Sequence, residues 1–197
     1  MTEPSEYVRR LTSGEPIPFA SDGVAGWETF PFDGELAVRP LEPPVLPEPP
    51  RNGEGGPEGC DVCVLPDSAF LWTDEHWRLR GIHSSLPAIV QLVPRVHHDL
   101  MDLPAERAAE LGPMLQRIER AVRELEGIAR VHVGRYGDGA AHLHVFQFAR
   151  PQGLLQLRGS NLPLWDDVLP RVPEEVWAGS ARTIAAAMAK GGGTAHV

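Results

Sequence analysis

Two imidazoles one residue apart, in His142-Leu143-His144-Val145-Phe146-Gln147-Phe148, form the segment best equipped for chemistry. Strand side chains alternate with a period of two, so His142, His144 and Phe146 are expected on one face and Leu143, Val145 and Gln147 on the other. A lone histidine on a buried face is usually a satisfied core residue. Two at this spacing, flanked by apolar residues and preceded by Gly137-Asp138-Gly139, point instead to a site. Imidazole can ligate a metal, move a proton or act as a nucleophile near neutral pH. Upstream stand Cys60 and Cys63 at Cys-x-x-Cys spacing, and Pro94-Arg95-Val96-His97-His98 lies between. Two cysteines are too few for a disulfide scaffold and read as a metal half-site or as a redox pair in a reducing compartment.

Holding these groups together calls for a sheet. Ala69-Phe70-Leu71-Trp72 and His76-Trp77-Arg78-Leu79 flank Thr73-Asp74-Glu75 as a hairpin, and the β-branched apolar run 88–93 ends at Pro94. A helix starts near Pro104, a residue suited to a first turn, with Glu106 favourable toward the helix dipole. Leu111, Met114, Leu115, Ile118, Val122 and Leu125 recur at helical spacing, Pro113 is expected to kink the helix, and Gly127 suits its end. Segments 130–134 and 143–148 complete the sheet. The expected class is α+β: an antiparallel sheet with one long helix packed against it.

Around this core domain (59–152) lie two different additions. Residues 1–58 form a Pro/Gly-rich arm in which six of the eleven residues 40–50 are proline, favouring extended backbone. The arm is expected to lie over its own domain or over a dimer mate. Residues 153–197 form a C-terminal extension whose last helix starts near Pro173-Glu174-Glu175, carries Trp177, Ala181, Ile184, Ala185 and Met188 on one face, and stops at Gly191-Gly192-Gly193. Trp165 and Trp177 read as packing anchors, and His76, His83, His132 and His196 as surface or edge residues.

The chain has 197 residues, 18 basic and 27 acidic, for a net charge of −9. That balance argues against nucleic acid or an anionic membrane as a partner. A small phosphate-bearing ligand stays open, because it needs only a local cluster of donors. The N-terminus has no apolar signal-like region and no apolar run approaches a membrane span, so the expectation is a cytoplasmic protein.

The order of Cys-x-x-Cys, a strand ending in Pro-Arg-x-His, a helix, a strand and His-x-His over residues 60–151 resembles the histidine triad (HIT) family of nucleotidyl hydrolases and transferases. The family motif is three histidines alternating with apolar residues, and this chain matches the first two and has Phe146 at the third. The resemblance implies a nucleotide or nucleotidyl conjugate as ligand, and a covalent intermediate on the middle histidine, His144. Around that ligand it places His142, Phe146 and Gly139, the last offering only its backbone N–H, and Arg135 or Arg150 is the candidate to offset the Asp138 carboxylate. It also implies a structural zinc (Zn2+) on Cys60, Cys63, His97 and His142, a Cys₂His₂ set suited to a closed tetrahedral site. The step from His97 to Asp102-Leu103 is one residue shorter than the family pattern, which makes His98 the alternative ligand. Family members pair through the long helix and its neighbouring strand, implying a homodimer. Two departures matter. Phe146 cannot assist a leaving group, and Gly137-Asp138-Gly139 stands where the family carries a glycine, an amide and a hydroxyl. They favour, as the alternative, a nucleotide-binding or regulatory protein of the same fold without turnover. A thiol redox protein acting through Cys60 and Cys63 ranks third.

Overall fold

The computed structural model describes residues 3–4, 6–11, 23, 26–39 and 41–197. Six strands, β1 (Trp72–Thr73), β2 (Trp77–Ile82), β3 (Ile89–Pro94), β4 (Ile128–Gly134), β5 (Val145–Pro151) and β6 (Thr194–Ala195), form one sheet in the order β4-β5-β3-β2-β1-β6. Every pairing is antiparallel. Among the described residues four α-helices accompany it: α1 (Glu6–Leu11), α2 (Ala105–Val122), α3 (Leu162–Val168) and α4 (Glu174–Ala189). The α+β class and the long helix beside the sheet are as the sequence implies. Among the described residues no helix is long and apolar enough to cross a membrane.

The two faces of the sheet carry separate cores. Leu143, Val145 and Ala149 point with Leu79, Val90 and Leu92 toward α2 and α4, where Met114, Ile118, Ile184 and Met188 meet them. The opposite face packs Phe148, Ile89 and Leu86 against Leu157 and Leu162 of the C-terminal extension, with Phe146 and Trp165 alongside. This alternation is the period of two at work along β5.

Three expectations need correction. His142, Leu143 and His144 precede β5 rather than lying in it, because β3–β5 pairing ends at Leu92↔Val145. Beyond that point the Leu143 N–H donates to the His98 carbonyl (2.7 Å) and the Ala141 N–H to the Asn52 carbonyl (2.9 Å), so loops take the place of a ladder. Residues 67–69 form a 3₁₀ turn, shortening the first hairpin strand to Trp72–Thr73. Helix α2 ends at Val122, short of Gly127, leaving Leu125 in a turn closed by its N–H to Val122 O (3.1 Å).

The described residues of the arm touch the rest of the chain at two places. Near one end the Trp165 Nε1–H donates to the Thr29 carbonyl (2.7 Å) and Asn161 Nδ2–H to Thr29 Oγ1 (3.0 Å). At the other, Arg51 and Asn52 bond to the core, and the described residues between, 34–39 and 41–50, are exposed.

Candidate metal centre

Cys60 and Cys63 sit on a tight turn in which the Cys63 and Val64 N–H groups both donate to the Cys60 carbonyl (3.1 and 3.3 Å). That turn puts both thiols on one side of the chain. His97 follows the end of β3, and Arg95 two residues earlier anchors the approach through a bidentate pair to Asp67 (2.8 and 3.0 Å). His142 precedes β5 and is 1% exposed. One donor atom from each of Cys60, Cys63, His97 and His142 lies within 4.8 Å of all the others. His142 Nδ1 is 3.4 Å from Cys60 Sγ and 3.3 Å from Cys63 Sγ, and His97 Nδ1 is 3.3 Å from Cys63 Sγ. A tetrahedron with ordinary zinc–sulfur and zinc–nitrogen bonds has a sulfur–nitrogen edge of about 3.5 Å.

The far nitrogens are committed elsewhere. His142 Nε2–H donates to the Pro94 carbonyl (2.8 Å) and His97 Nε2–H to the Gly53 carbonyl (3.1 Å). Each bond selects the tautomer whose Nδ1 lone pair faces the sulfurs, the arrangement that orients metal-bound histidines generally. Burial pushes the His142 pKa down and keeps its imidazole neutral, as a ligand must be. Burial, then the neighbouring Cys60, pushes the Cys63 thiol up to about 11. A dication reverses that preference, because a coordinated thiol gives up its proton. The donor set, its spacing and its tautomers suit a closed structural zinc site. Asn52 and Gly53 complete the cradle: Asn52 Oδ1 accepts from the Asp61 N–H (2.9 Å), and Gly53 sits at φ +75°, where a Cβ would lie 2.9 Å from both Cys60 Cβ and His97 Cε1. His98 is outside the cluster, with Nδ1 3.8 Å from Asp102 Oδ2.

His144 is placed differently. Its Nδ1–H donates to the His142 carbonyl (2.9 Å), which leaves Nε2 as the free lone pair of a partly exposed ring. Phe146 lies edge-on to it, ring centres 5.6 Å apart, and stacks on Phe148 at 5.7 Å. His142 was expected to meet the ligand as well as the metal; its Nδ1 faces the two sulfurs and its Nε2 the Pro94 carbonyl, so only its backbone carbonyl serves the His144 side. Gly139 gives its carbonyl to the Asn52 N–H (3.1 Å), and a Cβ there would touch nothing within 4 Å. Arg135 is held by Asp99 (2.5 Å), which Arg51 also grips (2.8 Å) while donating to the Gly137 carbonyl (2.9 Å). Burial alone would raise the Asp99 carboxyl, but the Arg51 bond, the Leu100 N–H and Arg135 outweigh it and hold the pKa at about 2. Arg51, Asn52, Gly53 and Asp99 were absent from the expected site. The signal for the first three is the Asn-Gly turn pair within a stretch that composition assigns to the N-terminal arm, and Asp99 carries none.

No family model and no curated protein matches the chain. Solved structures do. A zinc-bound histidine triad family protein from Mycobacterium smegmatis is 23% identical, with 68% of this chain and 96% of that one covered at a TM-score of 0.50. A histidine triad protein from Marinobacter aquaeolei VT8 is 24% identical, with 61% and 88% covered at a TM-score of 0.50. At such identities the likeness speaks for architecture, and the architecture of this chain is the histidine triad fold.

Proposed function

We propose that this chain is a nucleotide-binding protein with a structural zinc on Cys60, Cys63, His97 and His142, and that His144 forms a transient nucleotidyl–histidine. The observation that carries the reading is the 2.9 Å bond from His144 Nδ1–H to the His142 carbonyl. It turns Nε2 away from the backbone beside the cysteine–histidine cluster, the orientation nucleophilic catalysis by imidazole requires. The zinc-bound state of the Mycobacterium smegmatis protein supports the metal assignment.

His144 Nε2 attacks the α-phosphorus, a P–N bond forms, and the leaving group departs with the electron pair of the broken P–O bond. Water then attacks phosphorus, the imidazole leaves with the P–N electrons, and the water proton passes to solvent; a phosphate in place of water gives transfer. The His142 carbonyl holds the Nδ1 proton throughout. Phe146 stands where an assisting acid would serve, and a missing acid costs roughly 10²–10⁴ in rate. The substrates are therefore those whose leaving groups depart as stable anions, such as a phosphate or an acidic aryl oxide, and not alkylamines. Nucleotide binding without turnover is the second reading, favoured by Phe146 and by the neutralisation of Arg135 by Asp99.

Incubation with an activated nucleotide ester, followed by denaturation and mass analysis, tests the choice. A nucleotidyl mass on the His144 peptide, absent from His144→Asn with zinc content unchanged, is expected. Wild-type protein that binds nucleotide but yields neither adduct nor product would leave the binding reading; unchanged turnover in His144→Asn would remove this residue from the chemistry.

A further inference from the structure

Cys60 and Cys63 are placed to meet each other as well as a metal. The Cys63 N–H donates to the Cys60 carbonyl (3.1 Å) and closes a tight turn, a backbone geometry that keeps the end Cα atoms within about 7 Å. Disulfides span Cα separations of roughly 4.4–6.8 Å, so the turn brings the pair within reach of one. The two sulfurs lie within 4.8 Å of each other and share one neighbour, His142 Nδ1, at 3.4 and 3.3 Å. Their exposure differs. Cys60 is buried, whereas Cys63 is half-buried on a turn that presents Asp61 and Val64 to solvent. Redox-sensitive cysteines are thiolates within reach of solvent, set beside a second thiol that can resolve them. The same cluster also holds the motif segment. Asn52 of the cradle accepts from the Ala141 N–H (2.9 Å), and the His98 carbonyl, next to His97, accepts from the Leu143 N–H (2.7 Å).

We infer that Cys60 and Cys63 form an oxidation site at which a hydroperoxide converts the metal-binding pair into a disulfide, expels the metal and frees residues 141–143 from the loops that hold them. The inference rests on the zinc assignment and stands apart from any nucleotide chemistry. The Cys63 thiolate attacks the terminal oxygen of the hydroperoxide, the O–O bond breaks, and the departing oxyanion takes a proton from solvent. The Cys60 thiolate then attacks the sulfur of the Cys63 sulfenic acid, the S–O bond breaks, and the hydroxide released takes a second proton to become water. Two electrons have passed from the sulfurs to the peroxide. A disulfide offers no thiolate, so the donor set falls from four groups to the imidazoles of His97 and His142, too few for a closed tetrahedral site. Exchange with a dithiol restores both thiols and with them the site.

The test treats reduced, zinc-loaded full-length protein with hydrogen peroxide beside a chromogenic zinc indicator, and runs Cys63→His in parallel. That variant keeps a nitrogen or sulfur donor at all four positions but cannot form the pair. Wild type is expected to release its zinc in step with the appearance of a Cys60–Cys63 cross-linked peptide lighter by two hydrogens, and a dithiol with added zinc should reverse both changes. Cys63→His should keep its zinc over the same interval. Hydrogen exchange should show the Ala141 and Leu143 amides losing protection on oxidation, while the amides that pair β3 with β5 retain theirs. Zinc retained by wild type through peroxide treatment, zinc lost while both thiols stay free, or sulfinic acid formed without a cross-link would overturn the inference, whether or not the variant folds. Equal release from wild type and a folded Cys63→His would overturn it too, as would unchanged protection of the two amides. Reduced wild type that carries no zinc would remove the metal assignment and this inference with it.

Discussion

Each imidazole of the metal centre gives one nitrogen to a backbone carbonyl and turns the other to the sulfurs, so the cradle matters as much as the ligands. Gly53 is its tightest point. Gly53→Ala forces a Cβ to 2.9 Å from Cys60 Cβ and His97 Cε1 at a backbone angle that disfavours side chains. We expect a stability loss of roughly 1–3 kcal/mol from the strained backbone and a fall in zinc affinity of roughly 10–100-fold from the displaced partner of His97. Chelator competition and thermal melting measure both, and wild-type values in each would discard the cradle. Asp99 offers a second test. Its folded pKa, about 2, lies below the ordinary 3.8, so its contribution is present at neutral pH and is lost as pH falls from the ordinary value to the folded one. The stability gap between wild type and Asp99→Asn should therefore close across that window in urea titrations; a gap independent of pH would refute it. The four ligands were legible because sulfur and imidazole announce their chemistry in any context. Gly53 and Arg51 were not, since their roles arise from a backbone angle and from approaches to His97 and Asp99 that chain order does not encode.

Helix α2 was readable from its period because its core contacts repeat along one face, with Met114, Ile118, Ala121 and Val122 buried. Strand β6 was not, because two residues, Thr194 and Ala195, carry no period at all. What makes them a strand is a clamp at long range. The Arg117 guanidinium lies 4.6 Å above the Trp72 ring and donates to the carbonyls of Met188 and Gly192, while the Trp72 indole N–H donates to Gly192 O (2.9 Å). Gly193, at φ +82°, lets the tail cross that ring; a Cβ would come to 2.5 Å from the indole. Gly193→Val should release β6 from β1 at a cost of roughly 1–3 kcal/mol, a drop of about 2–12 °C in melting temperature for a chain of this length. Hydrogen exchange locates the effect, because the His196 N–H donates to the Leu71 carbonyl (3.0 Å) only when the tail is docked. Protection of that amide in the variant equal to wild type would mean that the clamp does not hold the tail. The misplaced start of β5 has the same origin as the missed β6: His142-Leu143-His144 alternates like a strand, but its hydrogen-bond partners come from loops.

At the scale of the whole molecule, the addition of α4 alters where a second copy can bind. The resemblance implied pairing through the long helix, yet the apolar residues of α2 are covered by the sheet and by α4, and none of its large hydrophobic side chains is exposed. The strand beside it is different. β4 is an edge of the sheet, paired on one side with β5 and unpaired on the other among the described residues, and Val133 on it is 52% exposed. An open edge is a template for another strand unless it is blocked. The proposed homodimer is therefore expected to form through β4, continuing the sheet across a two-fold axis in the isologous manner of such pairs. Light scattering should give a dimeric mass for wild type and a monomeric mass for Val133→Lys, since a lysine on an edge strand opposes pairing. Dimers in both would move the interface off this edge, and a monomeric wild type would end the proposal.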